Sequence, residues 1–301
     1  MAPSRCARGG GPAPLVGQNG RVKADGVDVL ELVAVAEQVA REAGELVHGG
    51  RPRTVTVAAT KSSPQDVVTA MDTASEDLIR RRLAQLRPDD GVLGEEGGHV
   101  PGTSGVTWVV DPIDGTVNYL YGVPGFAVSI AAVTGPAGEV PTPRGWTALA
   151  GCVHGPALDE TYTAARGAGA WANGERLALG DGAADLSVSL VGTGFGYLAE
   201  RRRAQGRVLA HLLPQVRDIR RVGSAALDLC WVAAGRFDVY YERGLNPWDM
   251  AAGGLVVTEA GGVLRGLRGE PADAVMTVAG PARLVDSLAE ILAALDADGD
   301  D

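Results

Sequence analysis

The chain has 301 residues, 46% of them hydrophobic and 21% charged, with a net charge of −10. That length holds one large domain or two small ones with a substantial core, and the acidic balance excludes the basic stripe of a nucleic-acid-binding surface. Cys6, Cys152 and Cys230 share no metal-ligand spacing and pair unevenly, which reads as a reducing, cytoplasmic compartment without a disulfide framework. No apolar run reaches the roughly 18 residues of a membrane span.

In chain order, residues 1–25 are rich in Gly, Pro and Ala, lack a signal peptide's apolar stretch, and read as a disordered tail. Residues 27–47 show apolar positions at helical spacing, with Asp28 placed to cap the N-terminus. Residues 53–59 and 66–72 read as strands, and a helix follows in which Thr73 and Glu76 have the spacing of a capping box. Residues 91–98 form a short strand that breaks into a glycine-flanked acidic turn.

Residues 126–133 and 148–154 read as buried strands, and Asn173-Gly174 marks a hairpin within 160–179. Beyond this point strands and helices alternate. Strands are expected at 187–194, 218–223, 237–242 and 274–280, and helices at 199–216, 224–235, 247–262 and 281–295. The pattern is one catalytic domain over 26–301 with layered α and β elements: an α+β half (26–185) and an α/β half (186–301).

The chemistry concentrates in "WVVDPIDGTVNY" (108–119). A buried strand ends in Asp111, Pro112 removes a backbone donor, and Asp114 follows, with Gly115 allowing close backbone approach. Alone, this is compatible with an Asp-rich turn capping a helix. "GEEGG" adds Glu95 and Glu96 at another strand end, and "NPWDMAAG" places Asp249 in the first turn of a helix, where an acid also suits the dipole. Each stretch alone has an ordinary explanation; the three together point elsewhere.

These stretches, with "KSSPQDVVTAMD" (61–72), resemble the magnesium-dependent inositol monophosphatase family, within the wider fructose-bisphosphatase-like superfamily. The likeness runs from about residue 27 to about residue 295. It implies a layered αβαβα sandwich and a phosphate monoester hydrolase using metal-activated water. Glu95, Asp111 and the Ile113 carbonyl would hold one Mg²⁺, and Asp111, Asp114 and Asp249 a second; a third ion near Asp72 is also implied. All-oxygen ligands suit Mg²⁺, or Mn²⁺ in its place. Four acids in one cleft require such cations, since unit charges ~4 Å apart repel by about 4 kcal/mol at an effective dielectric near 20.

The resemblance further implies that Thr116 and Asp72 activate the water, assisted by Glu95, with Lys61 near the phosphate. The Gly115 and Thr116 amides would meet the phosphate, while Gly223, Ser224, Ala225 and Glu242 would face the alcohol. Glu242 favours inositol 1-phosphate, because a carboxylate accepts hydrogen bonds from ring hydroxyls. Histidinol phosphate, fructose 1,6-bisphosphate and adenosine 3′,5′-bisphosphate are the competing substrates. A homodimer is also implied, with a small phosphate ester as ligand, while the acidic balance and the lack of a long apolar run argue against nucleic acid and membrane as partners.

Val117, Gly125 and a longer link within 134–151 depart from the family pattern, but none is a metal ligand. Two rivals differ in kind. A haloacid-dehalogenase-type enzyme would need its carboxylates two apart, whereas Asp111 and Asp114 are three apart. A non-catalytic scaffold would not need the complete ligand set. "GTGFG" (192–196) lacks the order of a nucleotide loop, and "ERRR" (200–203) reads as a solvated helix face.

Overall fold

The computed structural model describes residues 23–24, 27–52, 54–61 and 67–299. The tail expected to be disordered lies outside these, except for β1 (Lys23–Ala24), which pairs with β2 (Val27–Asp28). Helix α1 (Val29–Gly49) follows, and the Asp28 carboxylate accepts the Leu30 and Glu31 N–H groups at 3.2 and 3.4 Å, as a cap should. Strands β3 (Val57–Thr60) and β4 (Val67–Thr69) pair antiparallel and are shorter than expected.

Helix α2 (Ala70–Leu86) begins three residues before the expected cap. Thr69 is its N-cap and Asp72 completes the capping box, so Thr73 and Glu76 do not. The reason is that Glu76 is engaged elsewhere: its carboxylate accepts the Glu96 and Gly97 N–H groups, each at 2.8 Å, and pairs with Arg80 at 2.8 Å. It therefore anchors the acidic turn.

An eight-stranded sheet is built from β5 (Gly91–Gly94), β6 (Gly98–Val100), β7 (Val106–Asp114), β8 (Ala127–Thr134), β9 (Thr147–Gly155), β10 (Glu160–Ala165), β11 (Gly169–Ala172) and β12 (Glu175–Arg176). Its order is β12-β11-β10-β9-β8-β7-β5-β6, antiparallel throughout except for the parallel pair β5–β7. Asn173 and Gly174 both take positive φ at the β11–β12 hairpin, as that turn demands. Short helix α3 (Thr116–Tyr121) lies between β7 and β8.

The remaining strands are β13 (Leu190–Thr193), β14 (Asp218–Arg220), β15 (Val239–Glu242), β16 (Val263–Arg265) and β17 (Thr277–Gly280). They form a mixed five-stranded sheet in the order β14-β13-β15-β17-β16. The helices of this half are α4 (Ala199–Leu212), α5 (Ala225–Ala233), α6 (Pro247–Glu259) and α7 (Ala282–Ala294). Strand β16 was not anticipated, and α4 stops at Leu212, before Pro214.

Strand periodicity sorts the core into layers. Trp108 and Val110 of β7, with Val128, Ile130 and Ala132 of β8, pack against α1 and α2. Val109, Ala131 and Val133 point the other way, against α5 and α6. Those helices also cover Tyr240 and Ala279 of the second sheet, whose far-side residues Val239, Tyr241 and Val278 pack on α4 and α7. The result is the αβαβα sandwich. Small residues let α5 and α6 approach closely: a Cβ on Gly253 would lie 2.9 Å from Leu229 Cβ. Trp108 is fully buried, whereas Trp171 and Trp231 are half-buried beneath Arg176 and Arg236. The longer β8–β9 link is tied to the β16–β17 connection through Arg144, which pairs with Glu270 at 2.7 Å and Asp273 at 2.6 Å.

Candidate active site

Residues three apart on a regular strand point to opposite faces. Asp111 pairs with Ser129 and Asp114 with Ala127, so one extra residue is accommodated in β7 between them. That bulge restores parity and turns both carboxylates toward α6, where the Ser129 hydroxyl donates to the Trp248 carbonyl at 3.2 Å. Asp249, in the first turn of α6, arrives on the same side. Ligand oxygens of Asp111, Asp114 and Asp249 all lie within 4.8 Å of one another. The parallel β5–β7 pair sets Gly94 opposite Val110, so Glu95 follows at the level of Asp111; its N–H donates to the Val110 carbonyl at 3.3 Å.

The acids are held firmly. Asp111 accepts the Ile113 N–H at 3.0 Å. One Asp114 oxygen takes the Ser224 hydroxyl at 2.6 Å and the Ala226 N–H at 2.7 Å. Asp249 accepts the Asn246 N–H at 2.6 Å. Lys61 donates to Glu95 at 2.7 Å and to Glu96 at 2.6 Å. The Thr116 hydroxyl lies between two acceptors, Asp72 Oδ1 at 2.9 Å and the Ile113 carbonyl at 3.1 Å. The other Asp72 oxygen takes the Thr69 N–H at 2.8 Å and its hydroxyl at 2.5 Å. Asp72 therefore serves both as a helix-capping acid and as the partner of Thr116.

Electrostatics register the crowding. Burial, then repulsion from Glu95, Asp114 and Asp249, pushes the Asp111 carboxyl well above its usual range. Burial, then Asp114 and Glu95, does the same to Asp249. Burial raises Asp114 to about 6 against the pull of Ser224 and two backbone N–H groups. It raises Glu95 to about 7 against the pull of Lys61. Burial acts to lower the Lys61 ammonium, but Glu95 and Glu96 more than reverse this and hold it above its ordinary value. Burial also raises Asp72, opposed by Thr69 and Thr116. Oxygen donors that resist ionising together are a fitting donor set for a hard divalent cation.

These groups open on a cleft of ≈ 520 Å³ that also exposes Ile113, Gly115, Thr116, Gly223, Ala225 and Glu242. Asp72 and Ser224 lie behind the wall and act through Thr116 and Asp114. Gly115 has φ +94°, and a Cβ there would lie 2.9 Å from the Gly125 carbonyl and 3.0 Å from that of Gly223. Burial lifts the Glu242 carboxyl to about 7, against the hydroxyl of Tyr240 that donates to it. A Cβ on Gly194 would fall on the Glu242 carboxylate, so this glycine of "GTGFG" makes room for Glu242, while Gly192 accommodates Phe237 and Gly196 accommodates Arg201. Arg201 departs from the expected solvated face and lines the cleft.

Sequence reasoning missed Glu76, which anchors the Glu95 turn, and Asn118, which ties three segments at the cleft. Glu76 carried only a local capping pattern, and Asn118 lies in the 108–119 stretch without an assigned role; neither pattern shows the remote segment each one holds.

The chain matches the inositol monophosphatase family over residues 28–295. It is 49% identical over 247 residues to the inositol-1-monophosphatase SuhB of Mycobacterium tuberculosis strain H37Rv, covering 76% of this chain and 82% of that protein. The solved structure of Mycobacterium tuberculosis SuhB superposes with a TM-score of 0.73 at 42% identity, covering 90% of this chain and 98% of that one. That of the extragenic suppressor protein SuhB from Bartonella henselae gives 0.78 at 34% identity, covering 87% and 98%. With this cleft and these likenesses in hand, the chain belongs to the inositol monophosphatase family and is a phosphatase.

Proposed function

We propose that the chain hydrolyses phosphate monoesters with Mg²⁺ in the acidic cleft, and that myo-inositol 1-phosphate is its preferred substrate. The observation carrying this reading is the β7 bulge, which joins Asp111 and Asp114 to Asp249 within 4.8 Å. Glu95, Asp111 and the Ile113 carbonyl would hold one ion, and Asp111, Asp114 and Asp249 the other. Mn²⁺ is the natural substitute for this donor set. When bound, the ions offset the crowded negative charge and acidify water.

The chain's own groups do the rest. Water attacks phosphorus, the P–O ester bond breaks, and the departing alcohol oxygen would take its proton from a second water beside Asp249. The Thr116 oxygen takes a proton from the attacking water as its own passes to Asp72, whose burial strengthens its hold on that proton. The Gly115 and Thr116 N–H groups receive the phosphoryl oxygens, and Lys61 steadies Glu95 beside them. On the alcohol side, Gly223, Ala225 and Glu242 face the ring, with Ser224 fixing Asp114 from behind. Glu242 accepts hydrogen bonds from ring hydroxyls, which favours a cyclitol over an ester lacking them.

The family likeness also supports a homodimer, which light scattering of the purified protein checks, and the uneven cysteine count favours a reducing, cytoplasmic compartment. The function is tested with a panel of phosphate esters assayed with and without Mg²⁺. The expected result is Mg²⁺-dependent phosphate release with the highest kcat/KM on inositol 1-phosphate. Release that ignores Mg²⁺, or a clear preference for histidinol phosphate or a bisphosphate, overturns the proposal.

A further inference from the structure

Asn118 stands two residues beyond Thr116 on α3, buried at 7% exposure. Its side-chain nitrogen donates to the Gly125 carbonyl at 2.6 Å and to the Val222 carbonyl at 2.9 Å. An amide NH₂ has two hydrogens, so both are used. The acceptors belong to different segments: residue 125 precedes β8, and residue 222 leads into Gly223, Ser224 and α5. The same nitrogen would lie 3.3 Å from a Cβ on Gly125 and 3.1 Å from one on Gly223. Small residues therefore enclose the amide on both sides.

We infer that Asn118 is a positioning residue that sets the spacing between the phosphate side of the cleft and its alcohol side. The phosphate side is Gly115 and Thr116, which precede Asn118 on the same turn. The alcohol side is Gly223 and Ala225, held through Val222. The carbonyls of Gly125 and Gly223 also crowd Gly115, so the three segments meet at one point. A shift of residues 222–224 would carry Ser224 away from Asp114, where its hydroxyl donates at 2.6 Å. Asn118 thus acts on substrate only through backbone it holds in place.

The inference rests on the reading of the cleft as a phosphomonoesterase site for a polyhydroxyl alcohol. Its test is Asn118→Ala, with kcat and KM measured on inositol 1-phosphate and on p-nitrophenyl phosphate, beside a thermal melt. The aryl ester has no hydroxyls to register against Gly223, Ala225 and Glu242. Loss of two neutral hydrogen bonds predicts a fall of about tenfold in the ratio of kcat/KM for inositol 1-phosphate to that for the aryl ester. A purely structural role would lower the melting temperature and leave that ratio unchanged.

Should Asn118→Ala not fold, Gly125→Ala pushes on the same amide and on Val222, whose Cγ1 would be 3.0 Å from the new Cβ. It should move the ratio in the same direction. A wild-type ratio in a folded variant overturns the inference alone. Failure of the unaltered chain to hydrolyse inositol 1-phosphate overturns the underlying reading and this inference with it.

Discussion

Asp111, Asp114 and Asp249 are more useful to the site than to the fold. Charges at separations up to 4.8 Å cost roughly 3–4 kcal/mol per pair at an effective dielectric near 20. Asp114→Asn removes one such charge and keeps the shape of the side chain. Turnover on inositol 1-phosphate should fall at least about a hundredfold, as for loss of a metal-site group, while the melting temperature of chelator-treated protein rises. An activity unchanged in steady-state assays would remove Asp114 from the ligand set. Thr116→Ala deletes the hydroxyl bridging Asp72 and the Ile113 carbonyl, and the loss of proton transfer predicts a kcat lower by about 10²–10⁴ with the fold intact. Glu242→Gln should raise KM for inositol 1-phosphate by about tenfold or more, in line with a hydrogen bond to a charged group, and raise it far less for an aryl phosphate. Equal effects on the two esters would remove the reason for naming inositol.

At the scale of elements, the site depends on a turn and a bulge whose residues match the family pattern but whose geometry no local spacing announces. The Glu95–Glu96 turn hangs on the Glu76 carboxylate through two N–H groups at 2.8 Å each. Glu76→Ala leaves those donors without their acceptor, and such a loss costs about 1–3 kcal/mol. Chemical denaturation should show that loss together with weaker Mg²⁺ affinity, because Glu95 is no longer held in place. A denaturation midpoint and Mg²⁺ affinity both at the unaltered values would refute this linkage. Much of the architecture was legible beforehand, since the strand and helix periods of 108–110, 126–133 and 281–295 reflect burial on known faces. The bulge was not. Spacing alone puts Asp111 and Asp114 on opposite faces, and only the pairing of β7 with β8 reveals the extra residue. Thr73 and Glu76 show the opposite failure: a correct local pattern overridden because Glu76 has a tertiary partner.

For the whole molecule, two sheets and the α5–α6 layer between them bring together acids from three distant stretches. Burial raises Glu95 to about 7 and Asp114 to about 6, and raises Asp111 and Asp249 well above their usual range. In the unfolded chain these carboxyls titrate near ~4. Between about pH 4 and pH 7 the cation-free folded state therefore binds more protons than the unfolded one, and its stability falls as pH rises. Thermal melts in chelator should show a melting temperature that drops from pH 5 to pH 8, and saturating Mg²⁺ should flatten that slope by binding the ionised form. A melting temperature that rises across this window in chelator would contradict the assignment of the raised acids. The convergence of the acids was legible as a family pattern, whereas the supports behind them, Glu76, Asn118 and Ser224, depend on contacts between segments remote in the chain.

The most direct test is calorimetric titration of Mg²⁺ into chelator-stripped protein, alongside Asp111→Asn. Saturable uptake of at least two ions by the unaltered chain, lost or sharply weakened in Asp111→Asn, is the predicted result. No heat of binding at millimolar Mg²⁺ from a folded protein would contradict the account.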